Sequence, residues 1–228
     1  MDIKLYYEEK GSGEPLILLH GNGEDGTYFA HQIEFFSKKY RVIAVDTRGH
    51  GKSPRGSRPF TIRQFADDLC CFMREMKIEK ADILGFSDGG NIAMIFSMKY
   101  PNRVKKLILD GANLDGNGVN PSAQIPIILG YKIASLFAKK DPKAKAKMEL
   151  LGLMVNDPNV KLEELSRIQA KTLVMAGTKD LIKTEHTKLI ADSIPGAKLA
   201  FVKGDHFVAN KNPKVFNKIV DEFLSEDD

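Results

Sequence analysis

A handful of short, nearly uninterrupted apolar runs, each handing on to a stretch of helical periodicity, constrains this chain more than any other feature. Residues 16–20 (Leu-Ile-Leu-Leu-His), 41–46 (Arg-Val-Ile-Ala-Val-Asp), 81–86 (Ala-Asp-Ile-Leu-Gly-Phe), 104–110 (Val-Lys-Lys-Leu-Ile-Leu-Asp) and 172–176 (Thr-Leu-Val-Met-Ala) are too short for buried helices. They also lack the strict alternation of a half-exposed strand, so they read as strands covered on both faces. Helical patterns follow near 27–39, 61–77, 88–100, 183–193 and 213–224. At 61–77 the residues Ile62, Phe65, Ala66, Leu69, Phe72, Met73 and Met76 form one apolar stripe. Further strands at 3–8 and 198–202 bring the count to about seven. Strand and helix in alternation predict an α/β fold, a mostly parallel sheet flanked by helices.

The alternation breaks at 111–170, sixty residues with helix-like patterns and no convincing strand. A structureless loop of that length is rare inside a compact domain. The segment is therefore expected to be a small helical cap inserted after the strand at 104–110, with 1–110 and 171–228 forming the core domain. Its Ile125, Ile127, Ile128, Leu129, Ile133, Leu136 and Phe137, then Met148, Leu150, Leu151, Leu153 and Met154, are expected mostly to pack the cap onto the sheet. Some of them should line an apolar pocket.

Composition narrows the partners. Lys and Arg exceed Asp and Glu by 34 to 30, and the lysines around 139–147 alternate with Ala without aromatic interleaving. That is a solvated helix face, and nucleic acid is not expected as a partner. The two cysteines, Cys70 and Cys71, are adjacent on a helical pattern, which excludes a disulfide framework and suggests a reducing, cytoplasmic setting. The N-terminal residues lack an apolar signal region. The longest apolar stretch, 125–138, is broken by Pro126, Gly130 and Lys132 and is too short to span a bilayer, so no membrane partner is expected.

Chemistry concentrates at Gly85-Phe86-Ser87-Asp88-Gly89, a G-x-S-x-G pentapeptide set between a buried strand and a helix. A tight strand-to-helix turn lifts a serine hydroxyl clear of the sheet and aims the helix N-terminus at the place where an oxyanion develops. The plainer reading is a Gly-Ser turn whose serine caps the helix. With His20-Gly21 after one strand and Asp46-x-Arg48-Gly49-x-Gly51-x-Ser53 after the next, the chain resembles the α/β-hydrolase fold superfamily, serine esterase type, over nearly all of its length outside 111–170. That resemblance implies a nucleophile, acid and histidine in chain order. Ser87, Asp180 in Gly177-Thr178-Lys179-Asp180 and His206 in Gly204-Asp205-His206 satisfy the order.

In these roles His206 takes the Ser87 proton and returns it to the leaving group, while Asp180 fixes the imidazole tautomer. Asp110, at the end of an earlier strand, is a competing acid. His20 reads as a brace for the neighbouring loop, and His31 and His186 as exposed helix positions. By position the backbone N–H groups of Asn22 and Asp88 would form the oxyanion hole. Asp88 either complements its helix N-terminus or faces the pocket and meets a substrate cation. Family members that hydrolyse amino-acid esters share the Ser-Asp-Gly-Gly found at 87–90, and the side chains of Asp88 and Asn22 are the implied substrate contacts. The resemblance implies small carboxylic esters as substrates and no cofactor or metal. Only one strand, 3–8, is read before the one ending at His20, so against the resemblance an edge strand is expected to be missing, and a monomer or a homodimer stays open.

Two other readings compete. A triad-bearing, receptor-like binder would turn over slowly. A dinucleotide-binding oxidoreductase is suggested by Gly21-Asn22-Gly23-Glu24-Asp25-Gly26, a G-x-G-x-x-G match with Asp46 at the end of the next strand. Glu24 and Asp25 count against it, since both carboxylates would stand where a pyrophosphate must approach.

Overall fold

The computed structural model describes residues 2–226. Seven strands form one sheet: β1 (Tyr7–Lys10), β2 (Pro15–Leu19), β3 (Arg41–Val45), β4 (Ala81–Phe86), β5 (Val104–Asp110), β6 (Lys171–Gly177) and β7 (Lys198–Val202), in the order β1-β3-β2-β4-β5-β6-β7. Only β1 runs antiparallel, pairing with β3 from Tyr7↔Val45 to Lys10↔Val42. The opening strand is shifted from the expected 3–8, because this register follows the span of β3.

The central strands are apolar on both faces because both faces are covered. Ile17 and Leu19 of β2 join a core with α2 (Ile62–Glu75) and α3 (Asp88–Lys99), to which α6 (Thr184–Ser193) also contributes. Leu16 and Leu18 face the other way, toward α1 (Ala30–Phe36) and α8 (Pro213–Leu224). Period-two alternation thus sorts one strand's side chains between two cores.

Between β5 and β6 lie α4 (Pro121–Phe137) and α5 (Pro142–Asn156), flanked by short 3₁₀ turns. Leu153 of α5 is buried in the core and Glu149 pairs with Arg55 at 2.8 Å. On α4 the expectation of inward packing fails: Ile125, Leu129, Ile133, Leu136 and Phe137 are exposed, while Ile127 and Ile128 are half-buried. Apolarity marked the helix, but α5 covers only one of its faces.

The chain places β3 on one side of β2 and β4 on the other, so the strand order reverses there. The connection after β2 leads to α1 on one face, and the connection after β4 leads to α3 on the opposite face. Diverging loops open a crevice at the carboxyl ends of the two strands, where ligands bind in sheets of this kind.

Candidate active site

Ser87 stands in that crevice. It joins β4 to α3 with φ 53° and ψ −119°, a left-handed backbone that side-chain-bearing residues rarely adopt. The turn is held from both sides: Ser87 N donates to Asp110 O at 2.8 Å and Asn91 N donates to Ser87 O at 3.0 Å. Glycine is required at its flanks. A Cβ on Gly89 would lie 1.9 Å from Leu19 O, and one on Gly85 would lie 2.2 Å from Gly89 O. Helix and strand therefore touch backbone to backbone, which lets so tight a turn exist.

The loops after β6 and β7 bring the other two side chains to the same edge. His206 Nε2 is 3.0 Å from Ser87 Oγ, and His206 Nδ1 is 2.7 Å from Asp180 Oδ1. Asp180 is fixed by its own backbone surroundings, its Oδ2 accepting from Gly177 N at 3.0 Å and its Oδ1 from Ile182 N at 2.9 Å. Since Asp180 acts as acceptor throughout, Nδ1 of His206 carries the hydrogen and Nε2 presents its lone pair to Ser87. Both side chains of the pair are almost wholly buried. Phe86 packs against the imidazole with ring centres 4.8 Å apart, and Tyr28 stacks on Phe86 at 4.4 Å. Water is thereby kept from one side of the ring.

Asp88 and Asn22 also meet. Asn22 Nδ2 donates to Asp88 Oδ2 at 2.9 Å and to Leu150 O of α5 at 2.9 Å, linking the loop after β2, the turn at Ser87 and α5. Asn91 Nδ2 lies 3.3 Å from Asp88 Oδ1. Burial raises the Asp88 carboxyl above its ordinary range, opposed by the two amide hydrogen bonds. No cation pairs with it among the described residues.

Asp110, the competing acid, lies apart from this arrangement. It is fully buried, and neither carboxyl oxygen has a hydrogen-bond partner. Burial first, and the nearby charge of Asp180 second, hold its carboxyl well above the usual range. The hydrogen bond to His206 belongs to Asp180.

The family model of the alpha/beta hydrolase fold matches residues 14–132, just over half of the chain. The chain belongs to the α/β-hydrolase fold family. Similar curated proteins include hydrolases. The serine hydrolase BPHL of Homo sapiens is 29% identical, over 97% of this chain and 83% of its own length. A 2-hydroxy-6-oxononadienedioate/2-hydroxy-6-oxononatrienedioate hydrolase of Burkholderia vietnamiensis is 31% identical, over 84% of this chain and 66% of its own. Among solved structures, the enol-lactonase from Burkholderia xenovorans LB400 superposes with a TM-score of 0.83 at 23% identity, covering 98% of this chain and 97% of that one, a likeness of fold.

Within this α/β-hydrolase the remaining expectations divide. His20 is a brace, as read: its Nε2 accepts from Thr47 N at 3.0 Å and its Nδ1 donates to Gly21 O at 2.7 Å. His31 is exposed, as expected, but His186 is half-buried and its Nε2 accepts from Leu114 N at 3.0 Å. The glycine-rich loop after β2 has no free acid for a ribose. Asp46 accepts from Gly26 N and Lys52 N, both at 2.8 Å, and so ties two loops together. Glu24 and Asn91 were not singled out from sequence as site neighbours. Glu24 accepts from Gly21 N and lies near His206, while burial raises its carboxyl. Only G-x-x-E spacing in the loop hinted at the Glu24 contact. Among the described residues no helix is long and apolar enough to cross a membrane.

Proposed function

We propose that this chain hydrolyses small carboxylic esters through an acyl-enzyme on Ser87. One observation carries the reading: Ser87 Oγ, His206 and Asp180 form a continuous hydrogen-bonded line at 3.0 and 2.7 Å. Ser87 Oγ attacks the ester carbonyl as its proton passes to His206 Nε2, forming a tetrahedral oxyanion. Asp180 stabilises the resulting imidazolium and keeps its orientation. The oxyanion is received by the backbone N–H groups of Asn22 and Asp88, the latter at the first position of α3, where an N–H has no partner within the helix. Collapse expels the alkoxide, which takes the proton from His206. Water, deprotonated by the same imidazole, then releases the acid and restores Ser87. The cycle requires no metal or organic cofactor. The segment 111–170 serves as the cap, since Leu150 O meets Asn22 beside the site.

A fluorophosphonate probe located by mass spectrometry tests this reading. The adduct is expected on Ser87, to vanish in Ser87→Ala and to weaken strongly in His206→Ala; labelling that persists in Ser87→Ala removes the proposal. Steady release of p-nitrophenol from p-nitrophenyl butyrate after any burst distinguishes an enzyme from a receptor-like binder, which would stop at one equivalent.

A narrower substrate class rests on Asp88, a buried acid beside the nucleophile whose side-chain hydrogen bonds come from the amides of Asn22 and Asn91. An ammonium group on the substrate would give it a charge partner, so α-amino esters are the favoured class. The expected outcome is faster turnover of an amino-acid ester than of its desamino analogue, by roughly tenfold or more for a charge-assisted contact of about 1.5–3 kcal/mol. Asp88→Asn should erase the difference. Equal rates for the two esters in the native chain would leave Asp88 a structural role only.

A further inference from the structure

The outer face of α4 carries an apolar stripe with nothing packed on it. Ile125, Leu129, Ile133, Leu136 and Phe137 are between 51% and 79% exposed, although each belongs to a residue type usually buried. Their spacing puts them on one side of a 17-residue helix about 25 Å long. Exposed apolar side chains scattered singly need no explanation, but a continuous row along a helix does.

The stripe is framed by cations. Between residues 121 and 148 the sequence holds six lysines against the single acid Asp141. Lys143 and Lys147 of α5 border a groove of about 340 Å³ whose other wall is Gly130, Ile133, Ala134 and Phe137 of α4. Lys132 lies on α4 itself, and Lys139 and Lys140 occupy the turn that joins the helices. All five of these lysines are exposed, and none makes an ion pair among the described residues. The chain's mild excess of cations is thus gathered on one surface, beside its apolar stripe.

We infer that α4 and the α4–α5 turn form a docking surface for an anionic lipid bilayer, lying in the plane of the headgroups. The chemistry is that of an interfacial amphipathic helix, with apolar side chains entering the acyl boundary while flanking lysines meet lipid phosphates. The lysines also decide against a second copy of the chain. Joining two such faces would bring two lysine sets together inside the roughly 8 Å range over which charges interact at physiological salt. The sequence reading excluded a membrane partner because no segment is long enough to span, but a helix lying on the surface needs no span. The inference is independent of the esterase reading, since none of these side chains touches Ser87, Asp180 or His206.

Co-sedimentation with vesicles tests it, using phosphatidylcholine alone and phosphatidylcholine mixed with phosphatidylglycerol in equal parts. The full chain is expected to pellet with the mixed vesicles at low salt, to be released as salt is raised, and to stay in solution with phosphatidylcholine alone. The double variant Leu136→Ser/Phe137→Ser should partition roughly tenfold less or weaker still, with an unchanged melting temperature showing that the fold persists. Lys139→Glu/Lys140→Glu should lower partition on the mixed vesicles by a comparable factor. Absence of pelleting with the mixed vesicles, or equal pelleting with both kinds, overturns the inference. So does a concentration-dependent dimer in sedimentation velocity that Leu136→Ser/Phe137→Ser abolishes, because the stripe would then belong to a second copy.

Discussion

Ser87 stores backbone strain that only its position can explain. At φ 53° its Cβ is forced close to the main chain, and the fold holds it there through the hydrogen bonds to Asp110 and Asn91. Such conformations cost about 1–3 kcal/mol. Ser87→Gly should relieve that cost whereas Ser87→Ala should not, although both lack a nucleophile. Differential scanning calorimetry is expected to put Ser87→Gly roughly 2–8 °C above Ser87→Ala, less a small penalty for glycine's freedom in the unfolded chain. Equal melting temperatures would mean the turn is unstrained. Position in sequence made Ser87, Asp180 and His206 legible, because each follows a recognisable strand. The surroundings of Asp88 were not legible in the same way: its partner Asn22 lies 66 residues away and the backbone of Leu150 is a third distant segment. The isolation of Asp110 was equally hidden, since nothing in the run Leu-Ile-Leu-Asp says which face its last side chain takes.

Among the elements, the loop after β3 is tied to the loop after β2, Thr47 N donating to His20 and Asp46 accepting from Gly26 N, and it needs an anchor of its own. Arg48 supplies it. The guanidinium is fully buried and binds Asp68 of α2 through Nε at 2.6 Å and Nη2 at 2.8 Å, with Asp2 on its other edge. Removing one partner of such a pair leaves an uncompensated buried charge, at a cost of about 3–5 kcal/mol. Asp68→Ala is therefore expected to lower the melting temperature by roughly 6–20 °C, while active-site labelling of the folded fraction persists. A drop of a degree or less would show that Asp2 alone satisfies Arg48. The sequence marked Arg48 as part of a recognisable pattern after β3 but gave no sign of Asp68, which reads simply as a polar position on an amphipathic helix. The same limit applies to α4, where periodicity reports that a helix has an apolar side but not whether another element covers it. The alternation of strand and helix, by contrast, follows almost directly from the buried runs and the periodic stretches between them.

Over the whole molecule, two sets of buried titratable groups pull stability in opposite directions across the same pH window. Asp82 in β4 is buried and its carboxyl is raised from 3.8 to about 6 by desolvation; Asp157 is raised to about 6 for the same first reason. His50 is buried and lowered from 6.5 to about 4, again chiefly by desolvation. Between pH 3.8 and 6 the folded chain binds more protons at Asp82 than the unfolded chain does, so the contribution of Asp82 to stability is greatest at acid pH and is lost as pH rises toward 6. His50 behaves in reverse: its folded form binds fewer protons, so its contribution is greatest above 6.5 and is lost as pH falls toward 4. The slopes oppose each other, and with Asp157 on the side of Asp82 the two raised carboxyls outweigh His50, so these groups together favour the folded chain more at pH 4 than at pH 7. Asp82→Asn removes one slope while keeping an oxygen to accept from Lys106 N, which lies 3.0 Å from Asp82 Oδ1. At pH 4 the variant should melt with the native chain; by pH 7 it should melt higher by roughly 4–8 °C, the equivalent of about 2 kcal/mol for a charge that no longer needs burying. In the variant Asp157 alone is left against His50, so its melting temperature should vary less between pH 4 and 7 than that of the native chain. A difference between the two proteins that does not change with pH would mean that Asp82 is solvated in the native state and contributes no slope.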